Sequence, residues 1–258
     1  MPTSRPSEHQ AAILDQFTRQ AIPFTTSAAI KDEAALRLIV ERSGAGPADT
    51  VLDVACGGGL VVCAFARVVR HATGIDLTPA MLEQARKDQV TQGLTNVTWK
   101  QGDVVPLPFP DAQFTIVTSR FAFHHFLDPL EVLREMRRVT VPGGTVMVVD
   151  SAPAPERADA FNRMEKLRDP SHVRALPLDE HRELYARAGL PDPRVSWYRL
   201  EGELEGLISR SFPNPGDDDK IRALFKASLA DDALDLQTRL EDGLIRYGYP
   251  VAVLVADR

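Results

Sequence analysis

The chain has 258 residues, a length that suits one large domain with a core that needs no disulfide or metal to hold it. Its 30 Lys and Arg against 36 Asp and Glu give a net charge of −6, which excludes the basic surface typical of nucleic-acid-binding proteins and of proteins on anionic membranes. Two cysteines are too few for a disulfide scaffold, and no apolar stretch reaches the ~20 residues of a membrane-spanning helix.

The chain begins with MPTSRPSEHQ, which lacks the apolar centre of a signal peptide, so we expect a cytoplasmic protein. Residues 8–43 are predicted to form two helices separated at Pro23, because proline breaks helices. Five short apolar runs follow, each before a helical pattern, at residues 50–55, 71–76, 97–103, 114–119 and 145–150. Strands that alternate with helices in this way predict βαβ units and a parallel sheet.

After residue 150 the regular alternation of strands and helices stops. Residues 151–183 and 203–243 have helical patterns interrupted by prolines, whereas residues 195–200 and 250–256 are typical of two further strands. We therefore predict an N-terminal helical cap segment (1–43), a ligand-binding core (44–150), and cap helices with the last two strands of the same sheet (151–258). The predicted fold class is α/β, a seven-stranded, mostly parallel sheet with helices on both faces and a helical cap.

The first strand of the core ends in three glycines, Gly57-Gly58-Gly59. Glycines let the backbone approach a ligand closely, and ligands of open α/β sheets bind at the carboxyl ends of the strands. The dinucleotide-binding pattern G-x-G-x-x-G fails because Val62 stands at its third position, and no lysine follows for a phosphate-binding P-loop. The turn therefore suits a nucleoside ligand without a pyrophosphate.

Aspartates stand at the ends of the first three predicted strands. Asp53 precedes the glycine turn, Asp76 can accept hydrogen bonds from both hydroxyls of a ribose, and Asp103 can accept one from an exocyclic amine such as that of adenine. No arginine or lysine stands among these acids in the sequence, so the site should favour a cationic ligand over a phosphorylated one. S-adenosylmethionine, which carries a sulfonium, an ammonium, a ribose and an adenine, matches this set.

Four segments carry a resemblance to a known family: residues 51–59, 73–82, 102–129 and 133–150. In these segments the chain resembles the class I S-adenosylmethionine-dependent methyltransferases, in particular the group that includes the ubiquinone/menaquinone C-methyltransferases. The resemblance implies a Rossmann-like core with S-adenosylmethionine as cofactor and S-adenosylhomocysteine as product. Ala55 stands where glycine is usual, and the run 120–125 differs from that of the quinone enzymes, which weakens the case for a quinone acceptor.

The resemblance also implies roles for single residues. Asp76 should hold the ribose with Leu77 against the adenine, and Ser119 and Arg120 should approach the methionine part or the methyl group. The full set expected at the cofactor is Asp53, Ala55, Gly57, Gly59, Asp76, Leu77, Met81, Gly102, Asp103, Val104, Ser119 and Arg120.

Two further groups of residues have competing interpretations. His124 and His125 either supply a general base, since histidine titrates near neutral pH, or fix the loop after the fourth strand. Arg168, His172 and Arg174 either clamp an anionic substrate or close the cap as a salt-bridged turn. No Cys/His cluster has metal-ligand spacing, so no metal is expected.

The function predicted from these residues is S-adenosylmethionine-dependent O-, N-, S- or C-methylation of a small organic molecule. Alternatives are a cofactor-binding protein that does not methylate, acting as a scaffold or as a cyclase or lyase, and a dinucleotide-dependent oxidoreductase. The expected partner is a small-molecule methyl acceptor, with no nucleic acid and no membrane insertion, and a homodimer is compatible with the sequence.

Overall fold

The computed structural model describes residues 7–26 and 30–258, so residues 1–6 and 27–29 of the predicted cap segment lie outside the described residues. Its strands are β1 (Thr50–Val54), β2 (His71–Asp76), β3 (Val97–Gln101), β4 (Phe114–Arg120), β5 (Thr140–Ser151), β6 (Arg194–Glu203), β7 (Arg239–Glu241) and β8 (Leu244–Asp257). They form one sheet in the order β3-β2-β1-β4-β5-β8-β6, with β7 paired to β8. The first five strands are parallel, and β8 runs antiparallel between β5 and β6. The predicted α/β fold with a mostly parallel sheet is confirmed.

Helices cover both faces of this sheet. They are α1 (Glu8–Thr26), α2 (Glu33–Ser43), α3 (Leu60–Ala66), α4 (Pro79–Thr91), α5 (Pro129–Val139), α6 (Ala158–Arg168), α7 (Leu178–Arg187), α8 (Leu204–Ser211) and α9 (Asp217–Ser228), with a 3-10 turn at Phe123–His125. Helices α2, α3, α4, α6, α8 and α9 contribute to one apolar core, and α5 and α7 to the other. Among the described residues, no helix has both the length and the apolar composition that crossing a bilayer requires.

The helix α1 departs from the prediction at Pro23. The proline lies inside the last turn of α1 instead of between two helices, so the predicted break at this residue is wrong. Proline lacks the N–H that would donate to the Arg19 carbonyl, and it stands so near the end of α1 that few helical residues follow it. The hydroxyls of Thr25 and Thr26 donate to the Ala21 carbonyl at 2.6 Å and the Ile22 carbonyl at 2.9 Å, one turn earlier in the same helix.

The strand β7 is the second departure, because residues 203–243 were expected to be helical apart from one interruption. Helices α8 and α9 occupy the first part, but Arg239–Glu241 pairs with β8 as a short hairpin. The two turn residues, Asp242 and Gly243, have φ values of 52° and 77°, as the favoured two-residue hairpin turn requires. The sheet therefore has eight strands, and the Asp-Gly pair was the sequence signal for the extra one.

A buried histidine makes the stability of this fold sensitive to acid. His181 on α7 is 1% exposed, and neither ring nitrogen has a hydrogen-bond partner among the described residues. Burial lowers the pKa of His181 from 6.5 to about 4, although Asp150 and Glu180 act in the opposite direction. Between these pH values the unfolded chain binds the proton and the folded chain does not, so the free energy of unfolding falls as the pH falls.

We therefore expect His181→Phe to lessen the loss of stability on acidification. Between pH 7 and pH 5 the variant should lose about 2 kcal/mol less than the wild type in urea unfolding. The matched control is His71→Gln, at a partly exposed histidine on β2. Equal pH dependence in His181→Phe and the wild type would contradict the expectation.

Candidate active site

A cavity of about 520 Å³ lies where β1, β2, β3 and β4 end, with α1 across it. This is the edge at which open α/β sheets bind ligands. Nine of the residues expected at the ligand or as a base line it: Ala55, Gly57, Asp76, Leu77, Met81, Asp103, Val104, Arg120 and His125.

The glycine turn serves both the cavity and the packing of the chain. Gly57 lines the cavity with a φ of 51°, and a Cβ there would meet only Met81 Sδ at 4.0 Å. A Cβ on Gly58 would come within 2.0 Å of Thr25 on α1, and one on Gly59 within 2.3 Å of Trp99 on β3. Gly57 therefore faces the main cavity, Gly58 borders a second, smaller cavity, and Gly58 and Gly59 let two neighbouring elements pack closely.

The carboxylate of Asp76 connects the ends of β1 and β2. Its Oδ2 accepts a hydrogen bond from the Gly57 N–H at 2.8 Å, and its Oδ1 accepts one from the Thr78 N–H at 2.8 Å. Burial raises the pKa of Asp76, and the donors at Thr78 and Gly57 oppose that shift. Each oxygen keeps a further lone pair, so the side chain can hold the glycine turn and accept from two ligand hydroxyls.

The carboxylate of Asp103 is held by its own loop and by α1. Its Oδ1 accepts from the Val104 N–H at 2.7 Å, and its Oδ2 accepts from the Gln10 side chain at 2.5 Å. Gln10 lies 93 residues away in the sequence and was missed by the sequence analysis, because no local pattern places α1 over β3. Asp103 presents a hydrogen-bond acceptor at the cavity wall, as recognition of an amine requires.

A buried pair of opposite charges, Asp53 and Arg120, lies beside the glycine turn. Both side chains line a small cavity of about 30 Å³, and Arg120 also lines the main cavity. The Arg120 guanidinium donates to the Ile30 carbonyl at 3.3 Å and the Tyr198 hydroxyl at 3.4 Å, whereas its Nη2 and Asp53 Oδ1 have no partner among the described residues. Burial raises the pKa of Asp53, and Arg120 opposes that shift. Arg120, which the resemblance placed near the methionine part, thus adds a positive charge to the acids at the strand ends.

This donor and acceptor set fits the methionine end of S-adenosylmethionine. A buried guanidinium N–H without a partner suits a carboxylate, and a buried carboxylate oxygen without a partner suits an ammonium. The structure thus offers one charged group for each charge of an amino acid, next to the carboxylate that suits a ribose.

The two histidines of the 3-10 turn have different surroundings. His124 Nδ1 lies 2.6 Å from Asp150 Oδ1, and this carboxylate raises the pKa of His124 although burial opposes the charge. His125 lines the main cavity, and its Nδ1 lies 3.1 Å from the Ser171 carbonyl. Burial and the neighbouring His124 lower the pKa of His125 to about 4. His125 is therefore neutral at pH 7 and borders the cavity, whereas His124 is an ion-pair partner outside its lining.

Other candidate residues lie behind the cavity wall or on the surface. Ser119 donates to the Val54 carbonyl at 2.8 Å, and His172 contacts the Asn162 side chain at 2.8 Å. Arg168 forms a two-pronged ion pair with buried Glu165, and Arg174 pairs with Glu180. These contacts favour the salt-bridged turn over the anion clamp. The residues expected at the ligand or as a base that do not line the main cavity are Asp53, Gly59, Gly102, Ser119 and His124.

The apolar side of the cavity contains residues that the sequence analysis did not place there. Phe17 of α1 meets the His125 ring edge to face, with 5.0 Å between the ring centroids. Phe121 adopts a φ of 54° directly after β4, a left-handed conformation that is costly for a bulky residue and turns its ring into the cavity lining.

Among the described residues, no three His, Cys, Asp or Glu side chains form a group that could hold a metal ion.

The sheet order, the glycine turn and the acid at the end of β2 are those of the class I S-adenosylmethionine-dependent methyltransferases. YcgJ of Bacillus subtilis, an uncharacterised methyltransferase, is 31% identical over 221 residues, which cover 85% of this chain and 87% of that protein. Residues 52–148 match the family described as a methyltransferase domain. The chain belongs to this family of S-adenosylmethionine-dependent methyltransferases.

Other relatives and a solved structure agree with this assignment. The crystal structure of YcgJ has a TM-score of 0.79 at 27% identity, over 87% of this chain and 98% of that one. The 27-O-demethylrifamycin SV methyltransferase of Amycolatopsis mediterranei is 30% identical over 217 residues, 76% of this chain and 79% of that enzyme. The ubiquinone/menaquinone biosynthesis C-methyltransferase UbiE of Teredinibacter turnerae is 36% identical over 118 residues, 44% of this chain and 47% of that enzyme.

Proposed function

We propose that this enzyme methylates a hydroxyl oxygen of a small, largely apolar organic acceptor, and that His125 takes the hydroxyl proton. The main support for the proposal is the position of His125, whose neutral imidazole borders the cofactor cavity among Phe17, Phe121 and Phe126. Such apolar walls suit a flat organic molecule, and a hydroxyl nucleophile needs a base. The relatives named for rifamycin and for quinone biosynthesis support a small organic acceptor.

The donor site follows from the geometry of the cavity. Asp76 would hold the ribose, and Leu77 and Met81 the face of the adenine. Asp103, oriented by the Val104 N–H, would bind the adenine edge. The ligand-facing turn at Gly57, with Ala55 before it, would border the methionine part. S-adenosylmethionine supplies a methyl group on a positively charged sulfur, and the protein's main task is to align it with the acceptor, which can lower the barrier by about 7–11 kcal/mol.

Arg120 would bind the methionine carboxylate through its unpartnered Nη2. We expect Arg120→Gln to weaken binding of S-adenosylhomocysteine about 10- to 100-fold, the value of a hydrogen bond between charged groups. Binding of 5′-methylthioadenosine, which lacks the amino-acid part, should stay unchanged, and isothermal calorimetry measures both. Equal weakening of the two ligands would show that Arg120 only supports the cavity wall.

The acceptor can be sought with the purified enzyme, an isotopically labelled methyl donor and a cell extract. Mass spectrometry should detect a new labelled small molecule whose label is on an oxygen. A panel of phenols with a range of pKa values, including 4-methylphenol, tests directly whether the enzyme methylates a hydroxyl oxygen. Label on nitrogen, sulfur or carbon, or no labelled product with any acceptor, would contradict the proposal.

We also propose that the enzyme works in the cytoplasm. Both cysteines, Cys56 and Cys63, are buried and unpaired in a disulfide, as suits a reducing compartment. The homodimer stays a prediction of the sequence.

A further inference from the structure

His125 is connected to a buried carboxylate through a serine. The Ser171 hydroxyl lies 3.2 Å from His125 Nδ1 and donates to Asp169 Oδ1 at 2.6 Å. The Ser171 N–H donates to the same carboxylate oxygen at 2.8 Å. Asp169 and Ser171 are 1% and 0% exposed, so the chain from His125 to Asp169 is shielded from water.

These contacts determine which nitrogen of His125 carries the proton. The Ser171 carbonyl, 3.1 Å from Nδ1, can only accept a hydrogen bond. The Ser171 hydroxyl gives its own proton to Asp169, so its oxygen also faces Nδ1 as an acceptor. Nδ1 must therefore be the donor, and the lone pair is left on Nε2.

We propose that Asp169 and Ser171 are positioning residues that keep Nε2 of His125 free and stabilise the imidazolium that forms when His125 takes the acceptor proton. The inference rests on the proposed function of His125 as the base. In that step the hydroxyl proton passes to Nε2, the acceptor oxygen bonds to the methyl carbon, and the methyl–sulfur bond breaks with its electron pair left on sulfur.

The charges around His125 agree with this arrangement. Burial and His124 lower the pKa of His125, whereas Asp169 raises it. Burial alone would raise the pKa of Asp169, but His125, Arg168 and the Ser171 hydrogen bonds hold it below its ordinary value. Asp169 thus supplies the negative charge that a protonated His125 needs in a buried site. The titratable and charged groups that face His125 or its backbone are His9, His124, Arg168, Asp169 and His172.

The substitution Asp169→Asn tests the negative charge of Asp169 separately from its hydrogen bonds to Ser171. The asparagine keeps the oxygen that accepts both Ser171 hydrogen bonds and loses the negative charge, together with the long 3.5 Å hydrogen bond that Oδ2 accepts from Gln20. With histidine labelled in ¹⁵N and S-adenosylhomocysteine bound, nuclear magnetic resonance reports the tautomer and pKa of His125, and the signals lost in His125→Gln assign it. We expect Nδ1 to be protonated in the wild type and His125 to titrate at a lower pH in Asp169→Asn.

The same variant should transfer methyl groups to 4-methylphenol about 10- to 100-fold more slowly than the wild type, with the affinity for S-adenosylhomocysteine unchanged. Asp159→Asn, at an exposed acid of α6, is the matched control. If Asp169→Asn does not fold, Ser171→Ala interrupts the same chain and should also lower the pKa of His125.

Two results would overturn the inference. The first is that neutral His125 in the wild type carries its proton on Nε2. The second is that the His125 titration curves of the wild type and Asp169→Asn overlap, including the case in which neither curve shows a titration. These measurements need no acceptor. A failure to find methyl transfer would therefore count against the proposed function and leave the result for Asp169 and Ser171 standing.

Discussion

Asp76→Ala is expected to remove measurable binding of S-adenosylhomocysteine while the protein stays folded. The side chain would accept two hydrogen bonds from the ribose, and each hydrogen bond to a charged group is worth about 1.5–3 kcal/mol. The variant also loses the acceptor of the Gly57 N–H, so the glycine turn is no longer held in place. Together these losses should weaken binding by about 100-fold or more in calorimetry.

The matched control for Asp76 is Asp111→Ala. Asp111 is exposed and pairs with Arg138 away from the cavity lining, so its loss should leave the affinity unchanged. Circular dichroism of both variants checks that the sheet is intact. Wild-type affinity in a folded Asp76→Ala protein would remove the ribose assignment. Asp76→Asn is a poor substitute, because an amide has one acceptor oxygen and both oxygens of Asp76 accept backbone N–H groups.

His125→Gln is expected to slow methyl transfer to 4-methylphenol about 100- to 10,000-fold, the usual contribution of a general base. The hydroxyl of this acceptor, like that of tyrosine, titrates near pH ~10 and needs a base at neutral pH. The affinity for S-adenosylhomocysteine should stay unchanged. Methyl transfer to a phenol that is already ionised at neutral pH should slow much less in His125→Gln, because no proton has to be taken from that phenol.

His124→Gln is the matched comparison, one residue away. It should lower the free energy of unfolding more than it lowers the rate, since the buried Asp150 carboxylate loses its ion-pair partner and, among the described residues, keeps only the backbone N–H groups of His124 and Ser151. The pH profile gives a further check: because burial lowers the pKa of His125 to about 4, transfer by the wild type should not fall between pH 7 and pH 5.5. Equal loss of rate in His124→Gln and His125→Gln would show that the histidines act only through the loop.

The elements of the core could be predicted because their signals are local. The apolar runs before and after the glycine turn indicate buried strands, and Pro79 begins α4 as expected. Thr78 stands at the N-cap position, but its side chain makes no capping hydrogen bond, and its backbone N–H donates to Asp76. The prediction failed at Pro23, which the last turn of α1 includes, and at β7, which forms by pairing with β8.

The amino-acid pattern by itself determined the strand alternation, the glycine turn and the acids at the strand ends, because hydrophobic periodicity and turn chemistry depend on residues close together in the chain. Only the tertiary structure decided that Arg120 lies beside Asp53, that Gln10 reaches Asp103, and that Ser171 lies against His125. The last two contacts join residues 93 and 46 positions apart. Such contacts depend on how helices and loops pack on the sheet, and no local pattern specifies that packing.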